Sequence, residues 1–194
     1  MVQHNVGLHS KLRISVQLLL PVFNLGGNGF TLITIRLTPR LWTKTNFILA
    51  SMLLSHVITG VLMLWYTSFI LVVYVFNEPC RYNVAMAATM SLMKATPSVG
   101  ILHMILISIE RYIAIVYPLH YETKFTNRTM KLSIAATWVT GILLATTYAL
   151  RLINADLRNC DLIPVPYHLI EVVLCYIPVC IVMFIVYGKI LAVW

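Results

Sequence analysis

Charge is what this sequence has least of. Charged side chains make up 10% of its 194 residues against 60% hydrophobic, where a soluble domain runs nearer a quarter charged and half apolar. A chain so poor in charge cannot clothe itself for water, which excludes a soluble globular fold, a disordered tail and a nucleic-acid module. Acid is the scarcer charge: 6 Asp and Glu face 14 Lys and Arg, a formal balance of +8. In so apolar a chain that excess belongs to loops on one side of a membrane rather than to a polyanionic partner. Cysteine is scarce too, at 4, and shows no metal-ligand spacing. Cys80 and Cys160 stand alone, while Cys175 and Cys180 lie in an apolar run and read as small core residues. Paired carboxylates, HExxH and GxSxG are all missing, so no enzyme, catalytic residue, metal or cofactor is expected.

What the sequence does have is long apolar runs. A bilayer core of about 30 Å takes about 20 helical residues at about 1.5 Å each. Five runs reach that length, at about 14–35, 47–76, 84–116, 132–150 and 167–194. The short polar joints between them leave no room for a soluble domain, so the expectation is one all-α transmembrane domain over 1–194. Loop charge sets its orientation. Arg36, Arg40, Lys44, Arg111, Lys124, Arg128, Lys131 and Lys189 fall on one side; Lys11, Arg13, Arg81, Arg151 and Arg158 fall on the other. The richer side is expected in the cytoplasm and the N-terminus outside the cell.

At the end of the third run stands Glu110-Arg111-Tyr112-Ile113-Ala114-Ile115-Val116-Tyr117-Pro118-Leu119-His120-Tyr121. It puts an acid beside a base where a helix leaves the membrane, then starts a loop with proline. This stretch resembles the (D/E)RYxAIxxPLxY signature of rhodopsin-like (class A) G-protein-coupled receptors. Gly27-Asn28 in the first run, Thr45-Asn46-Phe47 opening the second, Trp138 in the fourth, and Pro178 with Tyr187 in the fifth resemble further landmarks of that family. The inner loop from Pro118 to Asn127 looks closest to trace-amine-type receptors. The resemblance runs through the whole chain but over five of the family's seven helices; the CWxP and NPxxY motifs of the last two are missing. The expectation is therefore a receptor truncated after its fifth helix, or a fragment of one.

The resemblance implies roles residue by residue. Arg111 would be held by Glu110 at rest and released toward a heterotrimeric G protein on activation, with Tyr112, Pro118 and Leu119 forming the facing loop. The plainer reading of Glu110 and Arg111 is a charge pair at a helix end, snorkelling to the interface. Cys80 and Cys160, in outer loops where thiols oxidise, would pair as the family's disulfide. Cys80 lies 31 residues before Arg111, further than the family's pattern, which places it in the loop rather than on the helix. His56 stands where the family carries its sodium-binding aspartate, and Gly100 where a serine assists, so the sodium site is expected to be lost. His56 is then a hydrogen-bonded core histidine. His103 is expected to face Ser51 and Trp138, a packing role shared with Asn28 and Pro178.

Lys94 and Glu171 are isolated charges inside runs, where charge is expensive and marks a site or a pair. Either they pair across the ligand pocket, or one contacts a ligand, or each snorkels separately to the outer interface. Met93 sits where amine receptors carry the carboxylate that binds the ligand ammonium, so an extracellular ligand without an amine is expected. The resulting reading is an orphan receptor in the plasma membrane. An alternative is a non-signalling truncated receptor, retained in the endoplasmic reticulum and oligomerising with full-length partners. A proton-relay transporter using His56, His103, Lys94 and Glu171 is the rival of another class. No nucleic acid is expected as a partner.

Overall fold

The computed structural model describes residues 8–76, 84–154 and 176–193. These form five long helices: α1 (Leu8–Leu37), α2 (Lys44–Phe76), α3 (Val84–Val116), α5 (Asn127–Asn154) and α6 (Ile177–Val193). A single-turn helix α4 (Tyr121–Lys124) sits between α3 and α5, and 3-10 turns at Pro39–Leu41 and Pro118–His120 lead out of α1 and α3. Helix is the form these runs must take, because hydrocarbon offers no partner to a backbone N–H or C=O and only a helix satisfies both within one segment. Ser15–Leu37, Lys44–Phe69, Ala88–Val116 and Asn127–Leu150 are each long and apolar enough to cross a bilayer. The chain is a multi-pass, all-α membrane protein.

Prolines and threonines set the helix boundaries. Thr38 before Pro39 and Tyr117 before Pro118 are pushed toward extended backbone, and α1 and α3 stop just ahead of them. At the start of α2 the Asn46 N–H donates to Thr43 Oγ1 at 3.3 Å, and at the start of α5 the Thr129 N–H donates to Thr126 Oγ1 at 3.1 Å. Each threonine thereby satisfies one of the orphan donors of a first turn.

The bundle is arranged about α3, which packs against α2, α5 and α6, while α1 leans on α2. Its interior is richer in small polar residues than that of a soluble protein. Ser55, Thr59, Thr67, Ser91, Thr96, Ser98, His103, Ser108 and Thr137 are buried, while Phe23, Phe30, Ile142, Leu143 and Phe184 face outward. Lipid is as apolar as leucine, so the helices associate through close packing and polar contacts instead. Thr59 Oγ1 donates across the α2–α3 seam to Thr96 Oγ1 at 2.7 Å. Gly60 lets α1 approach α2, since a Cβ there would lie 2.9 Å from Leu25 Cγ. Gly141 does the same for α5 and α3: a Cβ there would meet Val99 Cγ2 at 2.2 Å. Cys180, expected among the core residues, is exposed on α6; its helix packs mainly on α3, so most of its surface meets no protein.

Candidate functional site

The charged end of the bundle is built around one carboxylate. Glu110, in the last two turns of α3, has a side chain only 1% exposed, and Arg111 beside it is 44% exposed. Arg111 Nε donates to Glu110 Oε2 at 2.8 Å, and Nη2 reaches Oε1 at 3.4 Å. Burying a carboxylate costs several kcal/mol unless it is paired and hydrogen-bonded, and here two hydroxyls complete its shell. Thr45 Oγ1 donates to Oε1 at 3.0 Å, and Tyr121 Oη donates to the same oxygen at 2.6 Å. Arg111 Nη2 also donates to Thr45 Oγ1. The cluster thus ties α3 to the first turn of α2 and to α4.

Local sequence explains how Tyr121 arrives there. Pro118 ends α3 and opens a tight turn in which the His120 N–H donates to Tyr117 O at 3.0 Å, and this brings residue 121 back over Glu110. Burial first, and then the hydrogen bond to Glu110, push the Tyr121 phenol above its usual pKa of 10. It therefore remains a neutral donor throughout the physiological range. The loop is pinned from the other side as well. Lys44 Nζ pairs with Glu122 Oε2 at 2.6 Å and donates to Phe125 O at 2.8 Å, while Phe125 is buried with Ile48 and Met130 between the helices. A shallow open pocket remains, bounded by Lys44, Thr45, Glu110, Arg111, Ala114 and Tyr121. Outside it, Leu119 stands 92% exposed next to the exposed Pro118. Tyr112 is half-buried and makes an edge contact with Tyr117, ring centroids 6.2 Å apart.

Two turns deeper on α3 the interior is polar but neutral. His103 Nδ1 lies 2.8 Å from Val99 O and Nε2 lies 2.9 Å from Ser51 Oγ. A carbonyl can only accept, so the Nδ1 site carries the proton and Nε2 accepts from the serine hydroxyl. Ser51 in turn accepts from Trp138 Nε1 at 2.9 Å, and the His103 and Trp138 rings meet edge to face at 6.4 Å. His56 lies one helix turn beyond Ser51 on α2. Its Nε2 would be 2.5 Å from a Cβ at position 100, so the imidazole fills the room that any larger residue there would need. Asn28 turns back on its own helix, Nδ2 donating to Asn24 O at 2.9 Å.

Met93 and Lys94 lie half-buried on the other half of α3. Glu171, Cys80 and Cys160 fall outside the described residues, and Pro178 lies in the first turn of the described part of α6. The motif pointed to Glu110 and Arg111, but nothing in the sequence named three of their surroundings as partners. Thr45 reads as part of a helix-opening landmark, Lys44 as a loop charge, and Glu122 only as one residue of the inner loop. They become partners only because α2 and α4 meet at the end of α3.

A multi-pass helical bundle with an acid–base pair at one end of its central helix defines a class, and comparison with known proteins narrows it to a family. Residues 27–194 match the 7 transmembrane receptor (rhodopsin family), and the chain belongs to that family. It is 32% identical over 123 residues to trace amine-associated receptor 9 of Mus musculus, covering 62% of this chain and 33% of the relative. It is 29% identical over 139 residues to octopamine receptor beta-2R of Chilo suppressalis, covering 68% and 33%. It is 24% identical over 167 residues to adenosine receptor A3 of Bos taurus, covering 84% and 51%. The chain thus spans about a third to a half of the length of these relatives. As receptors, they agree with the expectation that the chain is not an enzyme.

Proposed function

We propose that this chain is the ligand-sensing and G-protein-facing part of a rhodopsin-family receptor at the plasma membrane, with its Glu110 end in the cytoplasm. One observation carries the reading: Arg111 is half-exposed at an open pocket, yet tethered to Thr45 and to a buried carboxylate that itself accepts from the Thr45 and Tyr121 hydroxyls. Thr45 and Tyr121 hold that carboxylate from α2 and α4, so a small relative movement of those elements rearranges the cluster around the guanidinium. An agonist that binds the freed arrangement better shifts the population toward it. The exposed Leu119 beside the pocket then supplies an apolar contact for a heterotrimeric G protein.

For the ligand, the reading rests on Met93. It offers no carboxylate to pair with an ammonium, although relatives include octopamine and trace amine receptors. A ligand held without that ion pair fits better, with Lys94 at its side. The direct test is basal nucleotide exchange by a G-protein heterotrimer on membranes carrying the chain. Glu110→Gln, which loosens the tether, should raise exchange several-fold over the unmodified chain, and Leu119→Asp should abolish the increase. Exchange that none of these forms alters would refute the coupling role.

A further inference from the structure

Away from the Glu110 cluster, the connection between α1 and α2 encloses a second feature. A cleft opens there between Leu32, Ile35 and Arg36 of α1, Trp42 of the connection, and Phe47 and Ala50 of α2. Its walls are apolar, and Trp42 and Phe47 are about half exposed. It is also held open by the backbone: Trp42 Nε1 donates to Ile35 O at 3.2 Å, and Asn46 Nδ2 donates to Leu41 O at 2.8 Å. The cleft lies where the span Ser15–Leu37 ends and the span Lys44–Phe69 begins, at the level where hydrocarbon gives way to headgroups.

Charge around it is one-sided. The stretch from Arg36 to Ala50 that borders it contains Arg36, Arg40 and Lys44 and not one Asp or Glu. Lys44 is taken by Glu122. Arg36 and Arg40 are exposed and, among the described residues, form no salt bridge with an acidic side chain. Guanidinium groups present a planar fork that suits phosphate oxygens. An apolar slot facing hydrocarbon, with Arg36 in its lining and Arg40 next in the chain to its Leu41, matches an amphiphile that has a phosphate head and an aliphatic tail. A soluble anion would leave the slot unused, and a protein helix would leave the arginines without a counter-charge.

We propose that the α1–α2 cleft binds an anionic glycerophospholipid, its phosphate on Arg36 and Arg40 and one acyl chain along Ile35, Phe47 and Ala50. This site is independent of the receptor reading, because it asks nothing of Arg111 or of a G protein. A lipid seated there would brace the connection that positions Thr43, Lys44 and Thr45.

Trp42 supplies the readout. The full chain is reconstituted in phosphatidylcholine vesicles containing a minor fraction of either phosphatidylglycerol or phosphatidylcholine with brominated acyl chains. Quenching is compared with that of Trp42→Phe, which isolates this residue from the other three of the 4 tryptophans. Brominated phosphatidylglycerol should quench Trp42 at a several-fold lower mole fraction than brominated phosphatidylcholine. Arg36→Gln with Arg40→Gln should abolish most of that preference, each charge being worth up to about five-fold, with helix content unchanged by circular dichroism. Ala50→Phe, which fills the slot, should weaken quenching by both lipids. Arg128→Gln with Lys131→Gln, at the same end of the bundle, should leave the preference intact. Equal quenching by the two lipids, an equal loss in this control pair, or displacement of the preference by inorganic phosphate would overturn the proposal.

Discussion

Glu110 and His103 sit two turns apart on the same helix, and both are fully buried. Glu110 is ionic, and its partners come from the first turn of α2, from α4 and from its own neighbour. His103 is neutral, and its partners, Ser51, Thr137 and its own Val99 carbonyl, all come from within membrane-spanning helices. The difference follows from solvent. At the membrane boundary a carboxylate can be buried because a cation and loop hydroxyls are within reach, and those loop elements can also withdraw. In the hydrocarbon only neutral groups are cheap, and their partners are fixed by helix packing. The Glu110 cluster is therefore the part of the bundle able to rearrange, while the His103 seam holds it together.

The largest effect should come from leaving the buried carboxylate without its cation. Arg111→Ala should destabilise the chain by about 3 kcal/mol, at the lower edge of the range for breaking a buried pair, because Thr45 and Tyr121 still donate and Arg111 was half-exposed. Glu110→Gln should cost less, since it removes the charge that needs the cation. Unfolding by SDS in mixed micelles, run as a double-mutant cycle, measures both and their coupling. Equal costs for the two single changes would mean that Glu110 is not buried as an ion, and the contrast with His103 would collapse.

The next effect tests the seam through packing rather than polarity. Gly141→Ala puts a methyl group 2.2 Å from Val99 Cγ2, an overpacking worth about 2 kcal/mol. Val99→Ala in the same chain should recover much of the loss, because it removes the atom that clashes. If Gly141→Ala is silent, α3 and α5 are not in close contact, and the neutral region is looser than the ionic one.

These two cases also mark what could be read before folding. The apolar runs dictated membrane helices because no other backbone form survives in hydrocarbon, and the adjacency of Glu110 to Arg111 announced an ion pair at a helix end. Lys44 and Glu122 gave no such notice, and the landmark containing Thr45 named no partner for it. Each has an ordinary local explanation, and its actual partner lies at least 65 residues away in the chain for Thr45 and 78 for Lys44. Gly141 was equally mute: a glycine in an apolar run says that something small is tolerated, not that Val99 is pressed against it. Cys180 erred the other way, since an apolar neighbourhood in a membrane helix means lipid as often as core. An adjacent contact is legible from residue chemistry alone, whereas the inter-helix partners of Thr45, Lys44 and Gly141 need the packing first.

A smaller effect separates the hydroxyl of the seam from its shape. Ser51→Ala removes the acceptor of Trp138 Nε1–H and the donor to His103 Nε2 together. Hydrogen bonds between membrane helices average about 0.6 kcal/mol, so the loss should be near 1 kcal/mol for the two. Ser51→Thr, which keeps the hydroxyl, should restore most of it in the same SDS titration. A loss as large as that of Arg111→Ala would put the neutral region on the same footing as the ionic one.

The smallest effect is one of pH, and it falls on Tyr121. Burial and the Glu110 hydrogen bond raise its phenol above the ordinary value, whereas in the unfolded chain it ionises near pH 10. A group with a raised folded pKa contributes stability that is complete below the unfolded pKa and is lost as pH rises toward the folded one. Between pH 6 and 9, then, Tyr121→Phe should change the stability by the same amount at every pH. Above about pH 10 the gap should close, because the unfolded wild-type chain gains from ionising and the phenylalanine chain does not. An ultraviolet difference titration of the two chains should show the missing phenol as a late step, after the ordinary tyrosines have titrated. If that step instead appears at the ordinary value, Tyr121 is not donating to Glu110. The carboxylate would then be held by Arg111 and Thr45 alone, and the loop would already be free of α3 in the resting bundle.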